Sequence, residues 1–432
     1  MNLSLQDPFA VAKEYPESLA NALQYGHCVT FQFSHKGDYL ASGLSDGSVV
    51  IYDLASRGSV IAHLHKHAHI RPITSVSWSV CGRYLLTTAQ DWHCKLWDLS
   101  LVNSPNHDSA VIRSIIVDGP IWSASINPSN EFQFTASLFE DQAIFVDWSD
   151  PLPQNYRISR LESKPLEEHA DSDANSSTKS VTLVTAFTHN GRYVFSGTNK
   201  GWINVFDTQS LQMVHSMRLT TSNIKNLVMS PNGRKLAVNS SDRIIRQISL
   251  PDLVNQQNPD SWEFDVEHKY QDVVNRLQWN SVCFNHNGEF LVASTFGTQS
   301  SQDLYIWETS MGSLIKILEG SSEELLEVKW NYSRCMIGSN GLEYGTIYLW
   351  SVDFPQKWSA LAPDFVEIDD NIEYEEKEDE FDIIDDDILN KRRLEEEDSY
   401  VDILTPENHD ARGFDTSLRS FIIPINYERP IV

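Results

Sequence analysis

The chain has 432 residues, 41% hydrophobic, 22% charged and 11% aromatic, with a formal net charge of −27. That apolar share can build a core, which excludes wholesale disorder, and the acidic excess excludes a general nucleic-acid coat protein. Five scattered cysteines with no C-x-x-C pair argue against a disulfide framework or zinc finger and for a reducing compartment.

The N-terminus, MNLSLQDPFAVAKEYPE, carries acids where a secretory leader needs bases followed by an apolar run. No stretch of about 18 apolar residues occurs, so no membrane-spanning helix and no membrane partner are expected. The expectation is an intracellular, soluble protein.

From residue 26 the chain repeats. Each unit is an apolar-alternating run, a turn with Gly or Asn, a second run, another turn, and a third run that often ends in an aromatic plus an acid. The first unit reads VTFQFSHKGDYLASGLSDGSVVIYD and the second ITSVSWSVCGRYLLTTAQDWHCKLWD. The third and fourth end at Asp147 and Asp207, a fifth runs through IKNLVMSPNGRKLAVNSSDRIIRQIS, and the sixth and seventh reach Trp307-Glu308 and Trp350-Ser351. Period-two alternation broken by N-G, K-G and D-G turns is the antiparallel strand signal. Asp53 to Asp98 spans 45 residues and Trp307 to Trp350 spans 43, the period of a four-stranded propeller blade. A lone blade cannot cover its two apolar faces, whereas radial stacking covers both and hides the edges. The expectation is an all-β, seven-bladed β-propeller over 26–352, with 1–25 helping to close the ring. Extra length at 149–180 and 250–270 belongs on loops at the rim or face.

Residues 353–432 read differently. From Ser351 to Val432 there are 24 acids against 8 bases, a net of −16. That composition cannot bury enough surface to fold alone, so an extended acidic C-terminal tail open to partners is expected. Its runs EYEEKEDEFD and LEEEDSY are separated by apolar islands.

Seven degenerate units ending in W-D, Y-D or W-E resemble the WD-repeat family. The strings MNLSLQDPF, TSNIKNLV, SSDRIIRQ, HKYQDVVNRLQW, LYIWETSMGSLIKILEG and WSALAPDFVEIDDNIEYEEKEDEFD narrow the likeness. From Met1 to about Ile403 the chain is similar to the retinoblastoma-binding-protein-five-type WD-repeat subunit of the COMPASS/MLL histone H3 lysine 4 methyltransferase complex, in its fungal form. The resemblance implies a nuclear, non-catalytic scaffold that takes no cofactor and no small-molecule substrate. Its implied partners are a SET-domain methyltransferase subunit, a SPRY-domain subunit, a second WD-repeat propeller and the nucleosome.

The resemblance carries residues over one by one. In WSALAPDFVEIDD, Phe365, Glu367 and Ile368 are implied in activating the SET domain. In EYEEKEDEFD, Glu376, Glu378, Phe381 and Asp382 match the SPRY-binding element. In EEEDSYVDIL, Val401, Asp402 and Ile403 match the element that docks on the second propeller, departing by Ile403 for Val and by a shorter acidic lead. An apolar anchor flanked by carboxylates suits a groove with a basic rim, and residues alternating around Asp402 suit strand addition. The intervening DDDILNKRRLEEED is expected to stay solvated and open, letting anchors about 20 residues apart bridge neighbouring domains at about 3.3 Å per residue. Beyond Thr405 the apolar, β-prone SFIIPINYERPIV has two open destinations, the propeller edge or another subunit.

Two further groups bear on function. Arg218–Leu250 holds Arg218, Lys225, Arg234, Lys235, Arg243 and Arg246 against Asp242 alone. With Arg276 from the next blade, to which the resemblance adds weight, this is a candidate face for DNA phosphate or a nucleosomal surface. Lys225, Arg234, Arg243, Arg246 and Arg276 are its expected members. In the structural alternative Arg243 pairs with Asp242 and Arg246 covers a blade edge. His63, His65, His67 and His69 alternate, so on one strand they would share a face and could ligate a metal. The competing reading, with no metal, makes His69 a buried structural histidine and the other three solvated loop residues. No G-x-S-x-G, Walker loop, G-x-G-x-x-G or Cys–His arrangement suggests catalysis. A WD-repeat histone chaperone with a shielding tail is the alternative function; interleaved apolar anchors favour the scaffold, because charge shielding needs acids alone.

Overall fold

Between Tyr15 and Val352 the alternating runs become strands, and each strand finds its partner in the next. The computed structural model describes residues 15–102, 110–150, 152, 155–162, 181–253, 262–272, 275–297, 303–352 and 386–397. A leading strand, β1 (Ser18–Leu23), precedes the first sheet, β2 (Cys28–Phe33), β3 (Tyr39–Leu44), β4 (Val49–Asp53) and β5 (Ser59–Leu64). The second is β6 (Ile73–Trp78), β7 (Tyr84–Ala89), β8 (His93–Asp98) and β9 (Val111–Ile116). The third is β10 (Ile121–Asn127), β11 (Asn130–Leu138), β12 (Ile144–Asp147) and β13 (Arg157–Arg160). The fourth is β14 (Thr182–Phe187), β15 (Tyr193–Thr198), β16 (Trp202–Asp207) and β17 (Met213–Arg218). The fifth is β18 (Ile224–Met229), β19 (Lys235–Ser240), β20 (Ile245–Ser249) and β21 (Asp265–Tyr270). The sixth is β22 (Gln278–Phe284), β23 (Phe290–Phe296), β24 (Leu304–Glu308) and β25 (Leu314–Leu318), and the last is β26 (Leu325–Asn331), β27 (Met336–Gly341) and β28 (Ile347–Ser351). In that last sheet the outer position is taken by β1.

Seven four-stranded antiparallel sheets result. Each first strand packs on the first strand of the next sheet, and β26 packs on β2, so the ring closes as a seven-bladed propeller. Strands in the middle of a blade are buried on both faces: every residue of β3 and β15 is buried, whereas the outer β5 is half exposed and β17 is mostly half-buried. Between the first two blades, Val49 and Ile51 meet Ile73, Val76, Leu85 and Trp97 in one cluster. A buried side chain of this size contributes about 1.5–3 kcal/mol, and repeating the layer around the ring supplies the stability a single blade lacks.

The closing seam is built from chain ends far apart in sequence. Ser18 to Leu23 pair antiparallel with Ser351 to Ile347, which covers an edge that would otherwise be open for aggregation. Glu17 meets Lys316 at 3.5 Å, Asn21 Nδ2 donates to Arg57 O at 2.7 Å, and Arg334 pairs with Asp38 across to the first blade. The two stretches of extra length each contain an outer strand, β13 within 149–180 and β21 within 250–270.

Because neighbouring strands are antiparallel, every blade sends the same loops to the same side. The loops between blades and the turns joining second to third strands form what we call the upper face; the other turns form the lower face. In the second blade the upper face is anchored by a polar chain. Trp97 Nε1 donates to Thr87 Oγ1 at 2.8 Å, that hydroxyl lies 2.9 Å from His69 Nε2, and His69 Nδ1 lies 3.0 Å from Asp91 Oδ2. A neutral His69 satisfies every member in turn, with Nδ1–H donating to the carboxylate and Nε2 accepting from Thr87. Burial lowers the His69 pKa. Burial alone would raise the Asp91 carboxyl, but hydrogen bonds from His69 and from the N–H groups of His93 and Ile70 hold it below the usual range.

Within the acidic tail the structure corrects the expectation of an open chain. Residues Asp386–Glu397 form a 12-residue helix, α1, with Asp387 through Glu395 exposed. Acids stand at its N-terminal turn, and Asp387–Lys391 and Lys391–Glu395 have the i,i+4 spacing that supports an exposed helix. It spans about 18 Å at 1.5 Å per residue, roughly half its extended length, so the segment between Phe381 and Val401 is shorter than an open chain. Among the described residues no helix is long and apolar enough to cross a membrane.

Candidate functional site

The upper ends of the fourth to sixth blades gather most of the basic residues the sequence singles out. Arg218 ends β17, Lys225 is the second residue of β18, Arg243 sits in the turn from β19 to β20, Arg246 is the second residue of β20, and Arg276 lies in the loop into β22. Arg218, Arg243 and Arg276 are exposed. Arg234 and Lys235 stand apart, because the turn from β18 to β19 lies on the lower face. Lys235 Nζ there donates to Thr309 Oγ1 at 2.8 Å and Gly288 O at 3.3 Å, tying the fifth blade to the sixth. Arg234 is exposed but points its charge from the wrong end of the blade to join the others.

Within the upper cluster the side chains divide their work. Arg246, with 12% of its side chain exposed, pairs with Asp242 at 2.5 Å and donates to Ser240 Oγ at 2.8 Å. Asp242 also accepts from Thr220 Oγ1 at 3.2 Å and from Ile244 N at 3.2 Å. Burial would raise the Asp242 carboxyl, yet the Arg246 and Ser240 bonds hold it below its ordinary value. The ion pair expected for Arg243 is therefore made by Arg246, and it braces the turn. Arg243 is left facing outward, its carbonyl accepting from Trp279 Nε1 at 3.1 Å. Lys225 Nζ lies 5.8 Å from the centre of the Phe296 ring, and burial lowers its pKa. This is a rigidly supported cationic surface, suited to anionic oxygens arrayed on a larger partner.

The tail residues Phe365, Glu367, Ile368, Glu376, Glu378, Phe381, Asp382, Val401, Asp402 and Ile403 lie outside the described residues. The four histidines do not share a strand: β5 stops at Leu64, so only His63 is on it and His65, His67 and His69 are in the following loop. Among the described residues no group of three or more His, Cys, Asp or Glu is placed to hold a metal. One surface escaped the sequence reading, an exposed apolar band on the upper face of the second and third blades. Its only local signal is Trp92, a bulky residue directly after Asp91 where D-G is the usual turn.

A closed ring of seven four-stranded blades, built from units that end in W-D, Y-D or W-E, defines a WD-repeat β-propeller. The family model "WD domain, G-beta repeat" matches residues 21–53 and 58–98. The chain is 42% identical to "COMPASS component SWD1" of Saccharomyces cerevisiae over 100% of its own length and 99% of that protein's. It is 42% identical to "Set1 complex component swd1" of Schizosaccharomyces pombe, covering 98% of each chain. "Retinoblastoma-binding protein 5 homolog" of Drosophila melanogaster is 31% identical over 98% of this chain and 82% of that one. The crystal structure of the Myceliophteria thermophila Cps50 (Swd1) beta-propeller domain matches with a TM-score of 0.69 and 38% identity, over 77% of this chain and 99% of that one. The chain belongs to the Swd1/retinoblastoma-binding protein 5 family.

Proposed function

We propose that this chain is a non-catalytic subunit of a COMPASS-type histone H3 lysine 4 methyltransferase complex in the nucleus. The observation that carries the reading is the 42% identity to a COMPASS component along the full length, tail included. In this reading the propeller presents Arg218, Lys225, Arg243 and Arg276 to nucleosomal DNA, with Arg246 bracing the turn beneath them. The tail supplies short anchors: Phe365, Glu367 and Ile368 for the SET-domain subunit, Glu376, Glu378, Phe381 and Asp382 for a SPRY-domain subunit, and Val401, Asp402 and Ile403 for a second propeller. Apolar anchors in pockets provide the affinity while neighbouring carboxylates set orientation and encounter rate.

The test is reconstitution. The purified chain alone is expected to methylate nothing, and adding it to the SET-domain and SPRY-domain subunits is expected to raise their rate on nucleosomes. A rate that does not change on addition would sink the activating role.

A further inference from the structure

The upper-face turn between second and third strands uses glycine in the first, fourth and last blades, with φ of 89° at Gly47, 76° at Gly201 and 67° at Gly345. A Cβ at Gly47 would lie 2.1 Å from His69 O and one at Gly201 2.1 Å from Thr220 O. Among the described turns, two put large side chains at this position, and the longer third-blade turn carries Glu140 at φ 70°. Trp92 has φ 68° and Arg243 has φ 70°. The hydrogen bonds show that the positions correspond. Asp46, Asp91 and Asp242 each accept the N–H two residues on, from Ser48, His93 and Ile244. The carbonyls of Gly47 and Trp92 each accept from an incoming loop, from His69 N at 3.0 Å and Val117 N at 2.9 Å. A left-handed conformation is costly for a bulky residue, and such strain collects where function requires the side chain. Arg243 belongs to the basic surface described above. Trp92 does not.

Trp92 lies instead among exposed apolar side chains at the upper ends of the second and third blades. Ile70 is 84% exposed, Ile116 62%, Trp122 and Phe139 56% each, and Trp92 itself 47%. Ile70 N donates to Asp91, the residue before Trp92, at 3.1 Å. Ile116 pairs with His93, the residue after it. Phe139 N donates to Pro120 O at 2.9 Å, and its ring centre lies 6.1 Å from that of Trp122. Side chains of this size are rarely left together on a surface without a partner, and tryptophan is the residue most often found at interface hot spots.

The charges beside these residues indicate what covers them. Exposed Lys66 and Arg71 flank Ile70 and exposed Glu140 follows Phe139, while Asp118 already pairs with Arg160 at 3.3 Å. We propose that this surface docks an apolar segment of a second protein, with apolar side chains over Trp92, Ile116 and Trp122, a carboxylate toward Lys66 and Arg71, and a base toward Glu140. DNA phosphate suits the basic cluster across the ring instead, because apolar side chains do not displace its counterions.

The choice of partners for the test rests on the function proposed above. A photoreactive amino acid in place of Ile116 is introduced into the full chain, which is then assembled with SET-domain, SPRY-domain and second-propeller subunits on nucleosomes. The expected product is a crosslink to an apolar segment of one protein subunit. Trp92→Gly removes the ring and relieves the backbone, so it is expected to melt at or above the wild-type temperature yet bind that subunit at least tenfold more weakly. A merely structural tryptophan would not separate stability from binding in this way. Trp122→Ser, read by the same two measurements, serves as a second variant, with the same loss of binding expected in a folded chain. Crosslinking to DNA or to a second copy, no crosslink, or undiminished binding by both variants overturns the docking surface. Normal assembly of the wild type with any of those results overturns this proposal alone, whereas failure of the wild type to assemble overturns the proposed function with it.

Discussion

At the scale of single residues, hydrogen-bond satisfaction decides roles that charge alone leaves open. His69 and Asp91 are both folded in states that bind fewer protons than in the unfolded chain. His69 is held below its ordinary 6.5 and Asp91 below its ordinary 3.8. Stability from His69 is therefore present above pH 6.5 and lost as pH falls through its lowered folded value; that from Asp91 is lost further down, below about 4. Asp91→Asn is expected to lower unfolding stability by about 1–3 kcal/mol, since it weakens a buried network without leaving a cavity. Urea midpoints at pH 7.5 and 5.5 check both statements: the wild type should lose stability between them, and His69→Gln should lose less. Similar logic separates Arg246 from its neighbours. Arg243→Glu with Arg276→Glu is expected to weaken nucleosome binding and reduce the slope of log K against log salt by about 2, one per lost phosphate contact. An unchanged slope in a normally folded variant would return both arginines to surface decoration.

At the scale of elements, β1 and α1 are the two that local pattern describes least well. β1 reads SLANAL, with little β-branched content, and its strand state depends on an edge waiting in β28. Deleting residues 1–23 is expected to expose that edge, lower the thermal midpoint by several degrees and promote aggregation, measured by scanning fluorimetry and light scattering. A deletion variant that melts with the wild type would show that the ring closes without it. The helix α1 changes the reach of the tail. Asp386–Glu397 covers about 18 Å as a helix, less than as an open chain, so under the proposed function the partner sites for Phe381 and Val401 are expected closer together than an open linker allows. Peptides over Asn371–Asp387 and Glu395–Thr405 can be titrated separately against the SPRY-domain subunit and the second propeller. Phe381→Ala is expected to cost the first about 1–3 kcal/mol, and Val401→Ala the second a similar amount, with single rim acids costing much less. Equal binding by the Phe381→Ala peptide would leave only diffuse charge.

For the whole molecule, the propeller separates chemistries by face and sector. The upper face carries cations over blades four to six and apolar side chains over blades two and three, while Arg234 and Lys235 sit below. A scaffold needs such separation, because phosphate and apolar peptide call for opposite surroundings. The same reasoning makes activation distinct from assembly: Phe365→Ala is expected to reduce methylation by the reconstituted complex several-fold while its elution as one complex is retained. Loss of assembly in step with activity would mean that the residue merely holds subunits together.

The repeat itself was legible because a blade's alternation, turn residues and period are local, and any sequence with seven such units faces the same burial problem. That argument reached the seven-bladed ring, but it assigned the extra length at 149–180 and 250–270 to loops, where β13 and β21 complete their blades; the WD-repeat resemblance supplied the role of His69 as a buried histidine. The family strings added the complex, since no physical rule dictates the order WSALAPDFVEIDD. Sequence could not separate Arg234 from Arg243, nine residues apart, because which end of a blade a residue occupies depends on strand direction. Nor could it show that Asp242 pairs with Arg246, as both candidates lie within reach along the chain. The acidic stretch was read by its net charge, which hid the i,i+4 pairing that supports α1. The apolar surface stayed invisible for a further reason: Ile70, Trp92, Ile116, Trp122 and Phe139 come from separate turns and strand ends, and only the antiparallel order of strands in the blades turns those ends to one side.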